Sequence, residues 1–310
     1  MDLFGTVSGA KPFLKWAGGK RQLIPTIQAV LPSNFEKAKN LTYIEPFIGG
    51  GAVLFWMLQA YPNIQQAIIN DINPDLTTAY RIVQQRPEDL IHALADVQEQ
   101  YYKLPTEEAR RTYFETLRDE FNTRPLEPLR NTVVLIFLNR TCFNGLYRVN
   151  SKGGFNVPFG RFDRPTICNP EVIRADSALL QRVTILNGDF AAVLPHVHTD
   201  SFFYFDPPYK PLSKTALFNA YATETFDDAS QHRLASFCRS LDAQGQRWLL
   251  SNSDVQNADA TNMYFDELYT GFTVQRILAK RTINSKADGR GRISELLINN
   301  YAPVEISQLA

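Results

Sequence analysis

The sequence predicts an α/β doubly wound domain interrupted by an insertion. Three observations lead there: short apolar runs of strand length, intervening stretches long enough for helices, and about a hundred central residues that interrupt this alternation. The runs are Leu41 to Ile44, Ala67 to Ile69, Val183 to Leu186, Phe202 to Phe205, Trp248 to Leu250 and Leu296 to Ile298. Each is predominantly apolar rather than strictly alternating, as strands buried on both faces of a mostly parallel sheet are. Ala52 to Ala60 reads as the helix after the first strand, and Asp228 to Leu241 as an amphipathic helix with an acidic start. The interruption, Leu76 to Asp176, opens with helical sequence rich in Glu, Gln, Arg and Tyr and continues through the apolar helix candidate Asn131 to Asn139. It ends in Cys142 to Arg164, rich in Phe, Tyr, Asn and Gly. The expected organisation is one discontinuous domain from 1–75 and 177–305, with a mainly helical unit, 76–176, inserted into it.

At 310 residues with 44% hydrophobic content, the chain has enough material for a substantial core. No apolar stretch approaches the roughly 20 residues that cross a bilayer, and the first residues lack a signal-like pattern. A soluble, cytoplasmic protein without a membrane partner is expected. Cys142, Cys168 and Cys238 are widely spaced and odd in number, which suggests neither a disulfide framework nor a metal site. The formal net charge is zero, so overall charge gives no pull towards polyanions. Two local clusters do: Arg140, Arg148, Lys152, Arg161 and Arg164 in one, and Lys280, Arg281, Lys286, Arg290 and Arg292 in the other. Both are mixed with Asn, Gly or aromatic residues, a composition suited to a nucleic-acid groove.

After the first predicted strand comes Glu45-Pro46-Phe47-Ile48-Gly49-Gly50-Gly51, and then a helix. Gly49 and Gly51 let the backbone approach a ligand closely, and the helix start offers free N–H groups. Asp71 follows at the end of the next strand, where a doubly wound sheet places a carboxylate on an adenosine ribose. The loop lacks the G-x-G-x-x-G pattern of dinucleotide enzymes, so the cofactor is chosen by chemistry elsewhere in the chain.

That chemistry lies in Asp206-Pro207-Pro208-Tyr209, at the end of the run Phe202 to Phe205. Asp and Pro are common turn residues, but here they also suit a planar amine. Asp206 can accept one amine hydrogen and the Pro207 carbonyl the other, while Tyr209 stacks on the ring. Proline has no N–H and a fixed φ, so it adds no competing donor. An amine so activated needs an electrophile, and the methyl of S-adenosylmethionine is one that requires no metal. Its sulfonium favours the aromatic faces of Trp16, Phe47 or Tyr209. Asp189, followed by Phe190, is placed to accept from the cofactor's adenine amine, although an Asp after a strand often caps a helix. In Lys11 to Gln22, Lys20 and Trp16 are expected to close over the cofactor's amino-acid end, leaving Lys15 to meet DNA.

Six ordered segments resemble the Dam-type DNA adenine N6-methyltransferase family. They are Lys15 to Lys20 (KWAGGK), Glu45 to Gly51 (EPFIGGG), Asn70 to Asn73 (NDIN), Phe143 to Asn150 (FNGLYRVN), Phe155 to Phe162 (FNVPFGRF) and Asp206 to Ser213 (DPPYKPLS). The resemblance spans most of the chain. It implies a Rossmann-like S-adenosylmethionine-dependent methyltransferase sheet with 76–176 as the DNA-recognition domain. The implied reaction moves the cofactor's methyl to adenine N6 in double-stranded DNA, within GATC, after base flipping.

The catalytic set is then Asp206, Pro207 and Tyr209, and the cofactor set Trp16, Lys20, Phe47, Gly49, Gly51, Asp71, Asp189, Phe190 and Asp206. The DNA-binding set is Lys15, Arg140, Phe143, Asn144, Leu146, Arg148, Asn150, Asn156, Pro158 and Phe162. Within it Arg148 suits a guanine and Phe143 the gap left by an extruded base. Phosphate contacts are expected from Lys15, Lys152 and the Lys280 to Arg292 loop, with Thr282, Asn284 and Ser285. A cognate restriction endonuclease is a functional partner that the resemblance admits. The rival readings are an amine methyltransferase for cytosine N4, RNA or protein, and a DNA-binding homologue without catalysis. The recognition motifs favour duplex DNA over the first, and intact Asp206 and Asp71 oppose the second.

Overall fold

A computed structural model describes residues 9–16, 18–210, 226–280 and 292–302. Its centre is a seven-stranded sheet of β1 (Leu41–Glu45), β2 (Ile64–Ile69), β3 (Val183–Ile185), β4 (Ser201–Phe205), β5 (Arg247–Ser253), β6 (Thr273–Lys280) and β7 (Arg292–Asn299). The spatial order is β3-β2-β1-β4-β5-β7-β6. The first five strands are mutually parallel, and β7 runs antiparallel to both β5 and β6. The order reverses between β1 and β4, and the crevice beyond their carboxyl ends is where such sheets bind ligands.

The continuous apolar runs follow from two-sided burial. Every residue of β1 and of β4 is buried. Alternate side chains enter separate cores: Tyr43, Phe202, Tyr204 and Leu249 on one face, Ile44, Phe203, Phe205 and Leu250 on the other. On the first face lie α1 (Ile24–Val30), α2 (Ala52–Ala60), α3 (Pro74–Gln85) and α7 (Pro170–Leu180). The second is covered by α8 (Asp228–Ala243), α9 (Tyr264–Leu268) and the short helix Phe190–His196. α8 buries Leu234, Phe237, Cys238 and Leu241 at helical spacing and is capped by Asp227, which accepts from the Ser230 N–H at 2.8 Å.

The strand β6 was not among the runs expected from sequence. Its residues Thr273-Val274-Gln275-Arg276-Ile277 mix polar with apolar and contain no continuous apolar run, and at this sheet edge Leu278 is 67% exposed.

Between α3 and α7 the chain makes α4 (Pro87–Tyr102), α5 (Glu107–Asn122) and α6 (Pro128–Thr141). α6 is buried almost all round, and the Phe137 ring meets Tyr101, Tyr113 and Phe114 with centroids 5.7, 5.5 and 6.5 Å apart. Gln84 of α3 donates to the carbonyls of Leu180 and Val183 at 2.6 and 2.8 Å, so the excursion leaves and returns on one packed helix pair. After α6 the chain folds back on itself through antiparallel bridges Cys142–Phe159 and Val149–Phe155.

Candidate active site

Three strand ends build the floor of the crevice. At the end of β1 the turn Gly49-Gly50-Gly51 enters α2 with Gly51 left-handed at φ 73°. A Cβ there would stand 2.4 Å from the Tyr80 hydroxyl, so only glycine fits. Tyr80 in turn donates to the Gly49 carbonyl at 3.1 Å. At the end of β2, Asp71 accepts from the N–H groups of Gly49 at 3.1 Å and Asn73 at 3.0 Å. Burial raises its pKa against these bonds. Fully buried Asn70 ties the ends together, donating to the Pro46 and Gly188 carbonyls at 3.1 and 2.9 Å while its own carbonyl accepts from Ile48 at 3.0 Å. Sequence reasoning quoted Asn70 in a motif and gave it no role.

Asp206 ends β4. Its Oδ1 accepts from Lys20 Nζ at 2.8 Å and from Ser251 Oγ at 3.0 Å, and its side chain is 20% exposed. Neither Oδ2 nor the Pro207 carbonyl receives a hydrogen bond from the described residues. Burial pushes the Asp206 pKa up, while Lys20 and the Ser251 hydroxyl pull it down. Lys20, itself buried, also donates to the Gly18 carbonyl at 2.8 Å and lies 4.2 Å from the Tyr209 ring centroid. Tyr209 is fixed at its far end, its hydroxyl donating to Glu295 Oε2 at 2.7 Å. The DPPY segment is held from behind by buried Asn252 and Gln231: Asn252 accepts from the Lys210 N–H at 3.4 Å and donates to Gln231 at 3.2 Å. Beside Lys20 and Asp206 a second carboxylate, Glu45, is buried and accepts from the Tyr43 hydroxyl at 2.7 Å; burial raises its pKa well above the usual range.

Among the described residues the arrangement leaves two acceptors without a donor, next to a cation, an aromatic ring and a glycine turn. Trp16, Gly49, Gly51 and Asp71 lie together about the glycine turn, and Lys20, Asp206, Pro207 and Tyr209 lie together at the end of β4. Phe47 and Phe190 form an adjoining aromatic cluster, their ring centroids 5.5 Å apart. Asp189 caps the helix Phe190–His196 through the Ala191 N–H at 3.0 Å and pairs with Arg233. Ser251, Glu295, Asn252 and Gln231 carried no sequence signal: neutral or lone charged residues within strands and a helix acquire meaning only when those elements are assembled.

A second surface adjoins this one. Phe143 is 54% exposed and Phe162 37% exposed, and Lys15 Nζ sits 5.5 Å from the Phe162 ring centroid. Phe143 is positioned by its N–H bond to the Pro158 carbonyl at 2.8 Å, and Asn144 is exposed with a left-handed φ of 56°. Gly145 allows the loop to press on Lys15, whose Cδ would stand 2.3 Å from an added Cβ. Leu146 packs, partly buried, against the main core. Exposed Arg148 donates from Nε to Asn156 Oδ1 at 2.7 Å and from Nη2 to the Asn156 carbonyl at 3.1 Å. Asn150 Oδ1 closes a turn by accepting from Lys152 and Gly154 N–H groups at 2.9 and 3.1 Å. Arg140 is turned inward: it donates to the Phe13 carbonyl at 2.6 Å, and burial lowers its pKa. Thr282, Asn284, Ser285 and the cations Arg281, Lys286 and Arg290 lie outside the described residues.

The profile of the D12 class N6 adenine-specific DNA methyltransferases matches residues 16–283. The chain belongs to this family. A type II methyltransferase of Methanocaldococcus jannaschii is 46% identical over 294 residues, covering 94% of this chain and 99% of that protein. One from Lactococcus lactis is 37% identical, covering 94% and 95%. The DNA adenine methylase of Vibrio cholerae is 33% identical, covering 93% and 95%. The protein is thus an adenine-specific DNA methyltransferase, and its family implies S-adenosylmethionine as methyl donor and DNA as substrate. Among the described residues of this methyltransferase no helix is long and apolar enough to cross a membrane.

Proposed function

We propose that the enzyme methylates N6 of an adenine flipped out of double-stranded DNA, within GATC, by direct transfer at Asp206. The observation that carries this is the pair of acceptors, Asp206 Oδ2 and the Pro207 carbonyl, left without a donor among the described residues at the end of β4 beside the glycine turn. They accept the two hydrogens of the N6 amine, drawing its lone pair out of conjugation with the ring. Asp206, with its raised pKa, takes the proton the amine loses. Tyr209, anchored by Glu295, supplies the stacking face. No covalent link between enzyme and substrate is involved.

Bound S-adenosylmethionine supplies an electrophilic methyl group on a sulfonium. The residues fit it. Asp71 suits the ribose hydroxyls, and Ile72, 57% exposed beside it, offers an apolar face to a purine. Lys20 has one of its three N–H groups left for a carboxylate after Gly18 and Asp206. Trp16, Phe47, Gly49, Gly51, Asp189 and Phe190 complete the proposed cofactor set, and no metal is assigned.

Residues 76–176 act as the target-recognition segment, and 1–75 with 177–305 as the catalytic one. Arg148 spends two N–H bonds on Asn156 and has three left, enough for O6 and N7 of a guanine. Phe143 fills the space of the extruded adenine. Unstacking costs a few kcal/mol, which phosphate contacts from Lys15 and Lys152 help offset, so binding weakens with salt. Asn144, Leu146, Asn150, Pro158 and Phe162 shape this surface, while Arg140 supports it from beneath. Two relatives named as type II methyltransferases support a companion restriction nuclease as functional partner. The working compartment is the cytoplasm, where the DNA is. To test the reading, labelled cofactor and unmethylated duplex are incubated with the enzyme and the DNA is digested to nucleosides. Label in N6-methyladenine, confined to GATC on sequencing, is expected; label in N4-methylcytosine overturns the assignment.

A further inference from the structure

Between the exposed residues Phe143, Asn144 and Arg148, the side chain of Tyr147 is directed into the protein, where it meets both walls of the cofactor crevice. Its ring stacks on the Trp16 indole, with centroids 5.1 Å apart and planes at 22°. Trp16 in turn lies on the glycine turn: a Cβ at Gly49 or Gly50 would come within 3.1 Å of its Cδ1 or 3.0 Å of its Cβ. The Tyr147 hydroxyl donates to Asp75 Oδ2 at 3.0 Å. Asp75 opens α3, where the Asn73 side chain accepts from the Asp75 N–H at 3.0 Å and the Asn73 N–H donates to Asp71 Oδ1 at 3.0 Å. One arm thus runs from Tyr147 through Trp16 to the turn after β1, and the other through Asp75 and Asn73 to the carboxylate after β2.

Asp75 cannot yield to a shift of Tyr147. It is buried, receives a bidentate bond from Arg124 at 2.6 and 2.7 Å, and accepts from Asn131 at 3.1 Å. Trp16 is equally confined, with glycine backbone on one side and the Tyr147 ring on the other. A change in the position of the glycine turn or of Trp16 must therefore move Tyr147, and with it the backbone that carries Phe143 and Arg148.

We propose that Tyr147 is a positioning residue that couples occupancy of the cofactor crevice to the presentation of the DNA-reading loop. This rests on the reading of that loop given above. Coupling of this kind is reciprocal: whatever factor the cofactor adds to duplex affinity, the duplex adds to cofactor affinity. Removing the phenol ring should abolish the factor while leaving each separate affinity nearly unchanged, because Tyr147 touches neither ligand in this scheme.

The probe is S-adenosylhomocysteine, which binds without transferring a methyl group. Duplex affinity is measured by fluorescence anisotropy with and without saturating probe, and probe affinity by calorimetry with and without a GATC duplex. The wild type should show a factor of about ten in both directions. In Tyr147→Leu the factor should fall to about one, and Tyr147→Phe, which keeps the stack and loses the hydroxyl, should fall between and serves if the leucine variant does not fold. A wild-type factor retained in both variants overturns the proposal, as does a wild type with no coupling. Separate affinities that drop with the factor intact also overturn it, since that is what a merely structural role produces. Failure of the loop reading is distinct: Arg148→Ala would then leave duplex affinity and the ranking of sites unchanged.

Discussion

Replacing Ser251 with alanine removes the only hydroxyl that reaches Asp206 Oδ1 from behind the sheet among the described residues. The Ser251 proton is committed to Asp206 at 3.0 Å, so the Tyr204 hydroxyl must be the donor in its 3.1 Å contact with Ser251 Oγ. Two energies are lost at once. A hydrogen bond to a charged acceptor is worth about 1.5–3 kcal/mol, which predicts a kcat about ten- to a hundredfold lower if the bond holds the carboxylate in its working orientation. The Tyr204 hydroxyl, fully buried, is left without its partner at a stability cost of about 1–3 kcal/mol. Single-turnover methyl transfer at saturating DNA and cofactor separates the two, with chemical denaturation run in parallel. Tyr204→Phe alone should keep most of the rate. The double variant Ser251→Ala/Tyr204→Phe should recover stability but not kcat. Because the Ser251 bond lowers the Asp206 pKa, the acid limb of the rate profile should move to higher pH in both Ser251 variants. A wild-type rate in Ser251→Ala, or a rate that returns with stability in the double variant, refutes the positioning role.

Asp206→Ala should abolish transfer and leave duplex binding largely intact; near-normal turnover removes Asp206 from the mechanism. Arg148→Ala should relax discrimination at one guanine by about 1–3 kcal/mol, read as a changed ranking of sites with that base replaced, and an unchanged ranking shows another residue reads it. Buried Asp176 accepts from the Lys11 N–H at 3.0 Å, and burial lifts its pKa from 3.8 to about 8. The folded chain then holds a proton that the unfolded chain has lost, so stability falls as pH rises from about 4 to about 8. Asp176→Asn should flatten that slope in urea titrations at pH 5 and pH 8, and parallel slopes in the two proteins would show that Asp176 does not titrate this way. Gly51→Ala should destabilise the fold by more than 1 kcal/mol by forcing a Cβ against Tyr80 at a positive φ; an unchanged denaturation midpoint contradicts the geometry.

Strands buried on both faces were legible because each carries a predominantly apolar run, and their carboxyl ends drew attention to Asp71 and Asp206. The edge strand β6 was not, since its alternation is weak and it faces solvent. Helix α2 was read to its terminal residues, Ala52 and Ala60, with the glycine turn marking its start. Charge was a poorer guide. Arg140 stands in a basic cluster, yet its guanidinium serves the Phe13 carbonyl, and Glu295, close in sequence to the second cluster, is the partner of Tyr209. Ser251 and Tyr147 were invisible for another reason: their partners lie 45 and 72 residues away in sequence. Periodicity reports burial and says nothing of which polar groups will meet.

The site resolves two opposed requirements on one carboxylate. Asp206 must be dry enough to grip an amine that water would otherwise solvate, and burial favours the protonated form, in which an acceptor becomes a donor. Lys20 and Ser251 oppose that effect, but both act on Oδ1. Concentrating the stabilising donors on one oxygen favours the charged form and leaves the other oxygen unspent. A lysine bridging both oxygens would serve ionisation equally and destroy the acceptor. The distribution of two hydrogen bonds over one carboxylate, rather than its pKa alone, is therefore what makes Asp206 suited to an exocyclic amine.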